Sequence, residues 1–395
     1  MRVMKLLILF LCLLGMALPT HVAAWDISAE LSSEGRLFFQ DGAYGNTDHS
    51  ELSLFGNIEG SHSWDDDRKV LSLIPFFRLS HPDTKRIHFD IREASFVGSW
   101  SKLELRVGIS KVYWGVTESQ HLVDIINQTD LVENIDGEDK LGQPMINPTL
   151  VTNFGNFSYF FLPYFRERTF PGANGRFRGP LVIDTDNPIF TKGKFQRHLQ
   201  HAFRYSHSLG GLEFGTFYFY GTDREPIATV SGTTIRPTYV PAHQVGVDAQ
   251  YIFNSWAFKA EGIWRNRQGL DTFIATTAGL EYTFGNVYKG LDIGVLAEYL
   301  YDQRGNNGEA FFTNHIFSGA RFSFNDTLGT EILAGFTFDN KNADFQTIRV
   351  EASRRINNRW KWGLEVNAVL QTSPNQVIFN FRKDSYVQGT ISYFF

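Results

Sequence analysis

The feature that most constrains this chain is a two-residue alternation that persists for ten or more residues at a time. Along Trp360–Leu370, Trp360, Trp362, Leu364, Val366, Ala368 and Leu370 fall on one face, while Lys361, Gly363, Glu365 and Asn367 fall on the other. Along Leu291–Asp302, Leu291, Ile293, Val295, Ala297, Tyr299 and Tyr301 oppose Asp292, Gly294 and Glu298, with Leu296 and Leu300 interrupting the polar row. The segments 328–338 and 244–253 repeat the pattern. A period of two belongs to the β-strand, whose successive side chains leave the backbone on opposite sides. Ordinary strands run about 5–6 residues, whereas a strand crossing a bilayer needs about 9–11. Charge sits in mid-run on the polar face and aromatics gather near the run ends, where interface girdles belong.

Extended along the whole chain, this reading predicts an all-β fold: a transmembrane antiparallel up-and-down β-barrel of about 16–18 strands, eighteen by count. Sixteen follows if 149–165 is not a hairpin. Short connections such as 65–68, 100–101, 209–210 and 326–327 alternate with a set that contains every long one: 41–49, 114–148, 166–197, 223–242, 303–311 and 372–383. Short turns at one end and long loops at the other are the topology of an outer-membrane barrel. Within "KVYWG", Tyr113 and Trp114 are expected in an aromatic girdle, and the loss of alternation after Gly115 marks the chain leaving the wall.

Residues 1–24 read as a signal peptide, with Arg2 and Lys5 before an apolar run from Leu6 to Leu14 and Val22-Ala23-Ala24 at the expected cleavage site. The apolar run is too short to span a bilayer as a helix, and it carries away the single cysteine, Cys12. Residues 25–395 are then expected to form a single barrel domain. No second run of 18 apolar residues follows, and losing Arg2 and Lys5 takes the formal charge from −5 to about −7, which argues against a nucleic-acid partner.

The chain ends in "SYVQGTISYFF", with Val387, Ile391, Tyr393 and Phe395 on one face and Gln388, Thr390 and Ser392 on the other. A last amphipathic strand with an aromatic carboxy-terminus resembles the assembly signal of Gram-negative outer-membrane β-barrel proteins. That resemblance implies export to the outer membrane, recognition by the barrel-assembly machinery through Tyr393 and Phe395, and contact with lipid and lipopolysaccharide. Val107-Gly108, Trp114-Gly115, Asp124, Asn127 and Asp130 resemble a segment of poorly characterised porin-like families of proteobacteria. Gln128 stands where those families carry a proline.

A barrel of 16–18 strands encloses an aqueous channel. Arg106, Asp248, Lys259, Glu261, Arg321, Arg349 and Glu365 lie on polar strand faces and are expected to line it. Charges of both signs in one interior argue for a wet lumen over a dry core. The loop 114–148 is acidic, with Asp124, Asp130 and Glu133 among its carboxylates, and Leu122, Ile125 and Ile126 are spaced for a short amphipathic helix. Its "DGED" lacks the remaining ligand spacing of a calcium loop, so it reads as a solvated acidic loop rather than a metal site. The loop 166–197 is basic, with Arg166, Arg168, Arg176, Arg178, Lys192, Lys194 and Arg197. The two loops are expected to fold inward and meet as a constriction, where the arginines select anionic groups.

Catalytic patterns are missing from the sequence. Ser206 and His207 are adjacent on a strand and so face opposite ways, and no Gly-x-Ser-x-Gly, His-Glu-x-x-His or phosphate-binding glycine loop occurs. The expected function is therefore a non-enzymatic channel without cofactor or metal, passing small hydrophilic and in particular anionic solutes by diffusion. The competing readings are a barrel enzyme and a structural or adhesive barrel with no open pore.

Overall fold

The computed structural model describes residues 25–45, 47–191, 199–305, 310–341 and 344–395. The leader expected over 1–24 lies outside these residues, as do Lys192, Lys194 and Arg197 of the basic loop.

Eighteen long strands form one closed antiparallel sheet. The first seven are β1 (Asp26–Phe38), β2 (Ser50–Trp64), β3 (Lys69–His81), β4 (His88–Trp100), β5 (Leu103–Ser110), β6 (Gln143–Thr152) and β7 (Gly155–Leu162). Two short pieces, β8 (Val182–Ile183) and β9 (Ile189–Phe190), lie in the connection that follows. The wall resumes with β10 (Gln200–Leu209) and β11 (Leu212–Thr222), and the hairpin β12 (Ile227–Ser231) and β13 (Thr234–Tyr239) stands outside it. The remaining wall strands are β14 (Pro241–Phe253), β15 (Trp256–Arg267), β16 (Phe273–Tyr288), β17 (Leu291–Asp302), β18 (Asn314–Ser323), β19 (Glu331–Asp339), β20 (Gln346–Arg355), β21 (Trp360–Gln371) and β22 (Tyr386–Phe394). Each wall strand pairs with its neighbours in sequence, and β22 returns to β1 from Glu30↔Phe394 to Phe38↔Tyr386. Closure satisfies every edge, and an even strand number lets it be antiparallel throughout.

The two ends differ as expected. At the end carrying both termini the turns are tight: Asn254 and Gly210 adopt left-handed backbone, which Asn tolerates and Gly adopts freely. The opposite end carries the long connections, and there β13 pairs with β12, β8 and β9 to make a small second sheet.

One strand starts earlier than the sequence suggested. β6 begins at Gln143, not 149, so the loop before it is 111–142. Pro144 and Pro148 mask this strand, since proline cannot donate to a ladder. The β6–β7 pairing is interrupted between Ile146↔Phe161 and Thr149↔Ser158, and Asn147 Nδ2 donates to the Tyr159 carbonyl at 2.9 Å across the gap.

The outward faces carry the apolar rows. Leu52, Leu54 and Ile58 on β2, Val245 and Val247 on β14, and Val295 on β17 are all exposed. So large an apolar surface fits a lipid-facing belt. Trp25, Trp64, Trp100, Trp256, Trp360 and Phe395 ring the short-turn end. Tyr113 is exposed at the opposite rim, but Trp114 is only 5% exposed and points inward, so it belongs to no girdle.

The interior is not uniformly wet. The inward faces of β6, β7, β10, β11, β15 and β16 present Met145, Phe160, Leu162, Ala202, Phe217, Phe219, Ile263, Phe273 and Ala275, which pack into one cluster with Trp114, Val123, Ile125 and Ile126. Six of the eighteen wall strands thus support a dry core, and the expectation of a wet lumen over a dry core is corrected to this extent.

Candidate functional site: a loop tied across the lumen

The segment 111–142 leaves β5 and folds into the barrel. It contains turns and bends but no helix, so the helix expected around Leu122–Ile126 does not form. Val123, Ile125 and Ile126 are instead buried as the loop's share of the apolar cluster. Asn127 pins the base of the loop, accepting from the Val112 amide at 2.9 Å and donating to the Ser110 and Leu141 carbonyls, each at 2.9 Å.

Two wall carboxylates capture the first lobe. Glu261 on β15 accepts from the amides of Val116 (2.7 Å) and Thr117 (3.1 Å) and from the Thr117 hydroxyl (2.8 Å). Glu298 on β17 accepts from the amides of Glu118 and Ser119, each at 2.8 Å, and from the Ser119 hydroxyl. Charge-assisted bonds of this kind are roughly twice as strong as neutral ones. Glu118 then reaches Arg321 of β18 at 2.6 Å.

The second lobe crosses to the opposite wall. Glu133 lies among four arginines, Arg36, Arg78 and Arg92 on wall strands and Arg86 in the turn between β3 and β4. Arg78 meets both of its oxygens at 2.7–3.0 Å, Arg36 and Arg86 donate to its carbonyl at 3.1 and 3.0 Å, and an Arg92 nitrogen stands 3.9 Å away. Arg92 pairs with Asp130 at 2.7 Å, Arg86 with Glu34 at 2.8 Å, and Arg166 with Asp90 at 2.8 Å. With Glu51 near Arg36 and Arg86, five guanidiniums face five carboxylates. Burial opposes ionisation of Glu133, but the bond from His88 and the charges of Arg78 and Arg86 hold its carboxyl down at about 2. Atoms of His88, Asp130 and Glu133 lie close enough to share an ion, yet Arg78 and Arg92 already occupy both carboxylates.

The lobes are joined by His121, whose Nε2 lies 3.1 Å from Glu138 while the Tyr113 hydroxyl lies 2.7 Å from Nδ1. Burial lowers the imidazole pKa, but bonds to Glu138 and Glu261 outweigh it and raise it to about 10. The ring is therefore an imidazolium at neutral pH. A raised histidine pKa stabilises fully below the unfolded value of 6.5, and that contribution disappears as pH rises through 10. In an NMR titration of the assembled barrel, His121 should remain protonated at pH 8 while exposed histidines have lost their protons. A midpoint near 6.5 would remove the latch.

The remaining residues expected to form the site are distributed around the wall. Asp248 binds Arg204 through two contacts at 2.7 and 2.8 Å, Lys259 pairs with Glu281 at 3.1 Å, and Arg106 lies on the inward row of β5. Arg349 pairs with Asp136 at 2.7 Å and with Glu351, while Glu365 approaches Asn134 at 3.4 Å and accepts from Tyr386. Asp124 meets Lys140 at 3.3 Å. The two long loops do touch, through Thr169 to Asp130 at 2.6 Å and Arg168 to Gln128 at 3.3 Å. However, Arg176 is bonded to Asp384 at 2.7 Å, and Arg178 donates to the Gly179 carbonyl. The charged partners of Asp130 and Glu133 are Arg92 and Arg78 of the wall instead. Tyr393 stacks edge-on with Trp360 and Phe395 beside the closing seam.

Arg36, Arg78, Arg86, Arg92 and His121 were missed from the sequence. A signal existed for three of them: Arg36, Arg78 and Arg92 continue the polar rows Ser32-Glu34, Ser80 and His88-Asp90 at spacing two.

Between the second lobe and β18–β22 lies a cavity of about 520 Å³, bordered by Glu118, Asp136, Arg321, Arg349, Lys361 and Glu365 among others. No family model matches this chain, and no curated protein matches it. Solved structures similar to it include engineered porins of Rhodopseudomonas blastica, at 11–12% identity and TM-scores of 0.46–0.48, covering 94% of this chain and 100% of those.

Proposed function

We propose that this protein is a porin-like channel in the outer membrane of a Gram-negative bacterium, passing small hydrophilic solutes by diffusion. The observation that carries this reading is an eighteen-strand closed barrel whose inward-folded loop packs on one side of the lumen and leaves a charged cavity on the other. Barrels of this size are wide enough for an aqueous path, and a loop bonded to the wall at Glu261, Glu298 and the arginine cluster sets its width. In this reading residues 25–395 act as one barrel domain, Tyr393 and Phe395 present the closing strand to the assembly machinery, and the exposed belt contacts lipid and lipopolysaccharide. Asp124, Asp130, Glu133, Arg166 and Arg168 shape the constriction by holding the loop, while Arg321, Arg349 and Glu365 border the passage. The engagement of Arg176 with Asp384 gives little support to a direct role for it in choosing anions.

Refolded protein added to a planar lipid bilayer should insert in discrete conductance steps. A protein that folds and inserts without any step conductance sinks the channel. Hydrolysis of lipid or peptide by the same preparation would promote the enzyme reading in its place.

A further inference from the structure

Resting on the channel reading, we infer that the passage selects cations, because the arginine cluster of β1–β4 is neutralised by its own carboxylates and the open side carries surplus carboxylate. On β1–β4 and the adjoining loops, Arg36, Arg78, Arg86, Arg92 and Arg166 are matched by Glu34, Glu51, Asp90, Asp130 and Glu133. Four of these five guanidiniums are less than 9% exposed. Such a cluster is satisfied internally and projects little net field into the lumen. Arg204 is likewise held by Asp248, and Lys259 by Glu281.

The cavity beside the loop is different. Its border carries the carboxylates Glu118, Asp136, Glu138, Glu331, Glu351 and Glu365 against the cations Arg321, Arg349 and Lys361. Arg321 is bound by Glu118 and Arg349 by Asp136, and Glu138 is answered by the His121 imidazolium. Six carboxylates thus face four cations, His121 included, and the surplus falls on the row Glu331, Glu351 and Glu365, where Glu351 shares Arg349 with Asp136 and Lys361 is the one further cation of the border. This row lies on β19, β20 and β21, on the wall that the apolar cluster leaves uncovered.

A surplus of negative charge in a confined aqueous path raises the local concentration of cations and depletes anions. The effect is focused where protein walls of low dielectric surround the water. At physiological ionic strength the screening length is about 8 Å, comparable to the width of a cavity of this volume, so the surplus is felt across it. Sequence reasoning pointed to anions because it counted loop arginines without their partners. The solutes this lining favours are small hydrophilic cations and neutral molecules.

The test is the reversal potential of single channels under a KCl gradient. The wild-type channel should pass potassium several-fold more readily than chloride, and the preference should weaken at high salt. Glu331→Gln combined with Glu351→Gln should move the reversal potential toward zero, and Lys361→Gln should move it further in the cation-selective direction. Wild-type channels that conduct but prefer chloride, or whose selectivity is indifferent to these three substitutions, overturn the inference while leaving the channel intact. Absence of conductance overturns the channel reading itself, and this one with it.

Discussion

Glu133→Ala should release the second lobe of the loop and raise single-channel conductance. The carboxylate is buried, and in its absence Arg78 keeps only Glu34, at 3.3 Å, while five guanidiniums are left with four carboxylates. Removing one partner from a buried ion-pair network costs about 3–5 kcal/mol, because the unmatched charge stays behind. The barrel itself should survive, since the strand ladder from β1 to β22 does not pass through residue 133. The cost therefore falls on the loop, which can move to water and relieve it. Two readouts follow: larger and noisier conductance steps, and faster cleavage by trypsin at Lys140, which is tied down by Asp124 in the intact loop. Glu133→Gln keeps the shape and some hydrogen bonding and should fall between. The wild-type protein should show the same loosening in acid. A depressed carboxyl pKa stabilises above the unfolded value of 4.5, and that stability is lost as pH falls through about 2. Steps and cleavage equal to wild type in Glu133→Ala would mean that the arginine cluster does not hold the loop.

The barrel was legible in the sequence and most of the site was not, for one physical reason. Strand pairing is written locally: the rows in Leu291–Asp302 and Trp360–Gln371 reveal themselves by period two alone, and eighteen strands follow from repeating that reading. The loop's partners are written across the chain. Glu261 and Glu298 are 138 or more residues from the amides they bind, and nothing in the spacing of 111–142 announces them. Val123, Ile125 and Ile126 show how this misleads: at helical spacing they suggested an amphipathic helix, but their apolar face is used up against Phe217, Ile263 and other wall residues. The early start of β6 was hidden in the same way, because Pro144 and Pro148 argue for a loop until the side-chain bond of Asn147 is known. Charge polarity suffered most. An arginine counted from sequence is a site for anions, but one already bonded to a carboxylate is part of the wall.

Trp114→Ala should loosen the first lobe by a route independent of charge. The indole packs edge-on to Phe160 with ring centres 5.4 Å apart, lies 5.0 Å from Phe217, and carries the Arg204 guanidinium 4.8 Å above its face. It stands where the chain leaves the wall, so it fixes the direction in which residues 115–123 set out toward Glu261. Truncating a buried tryptophan costs about 3–5 kcal/mol in transfer and cavity terms, and an indole face under a guanidinium adds about 1 kcal/mol more. The cavity so formed would open beside the apolar cluster, on the side of the lumen that is otherwise dry. Water entering there should create a second path, seen as a rise in conductance with a weaker cation preference than the wild-type path, since Ile263 and Phe217 carry no charge. Trp114→Phe should restore most of the packing and most of the wild-type conductance. Combining Trp114→Ala with Glu133→Ala should give nearly additive loosening, because the two residues hold opposite lobes and share no partner. A double variant no looser than either single one would show that the loop moves as one rigid body.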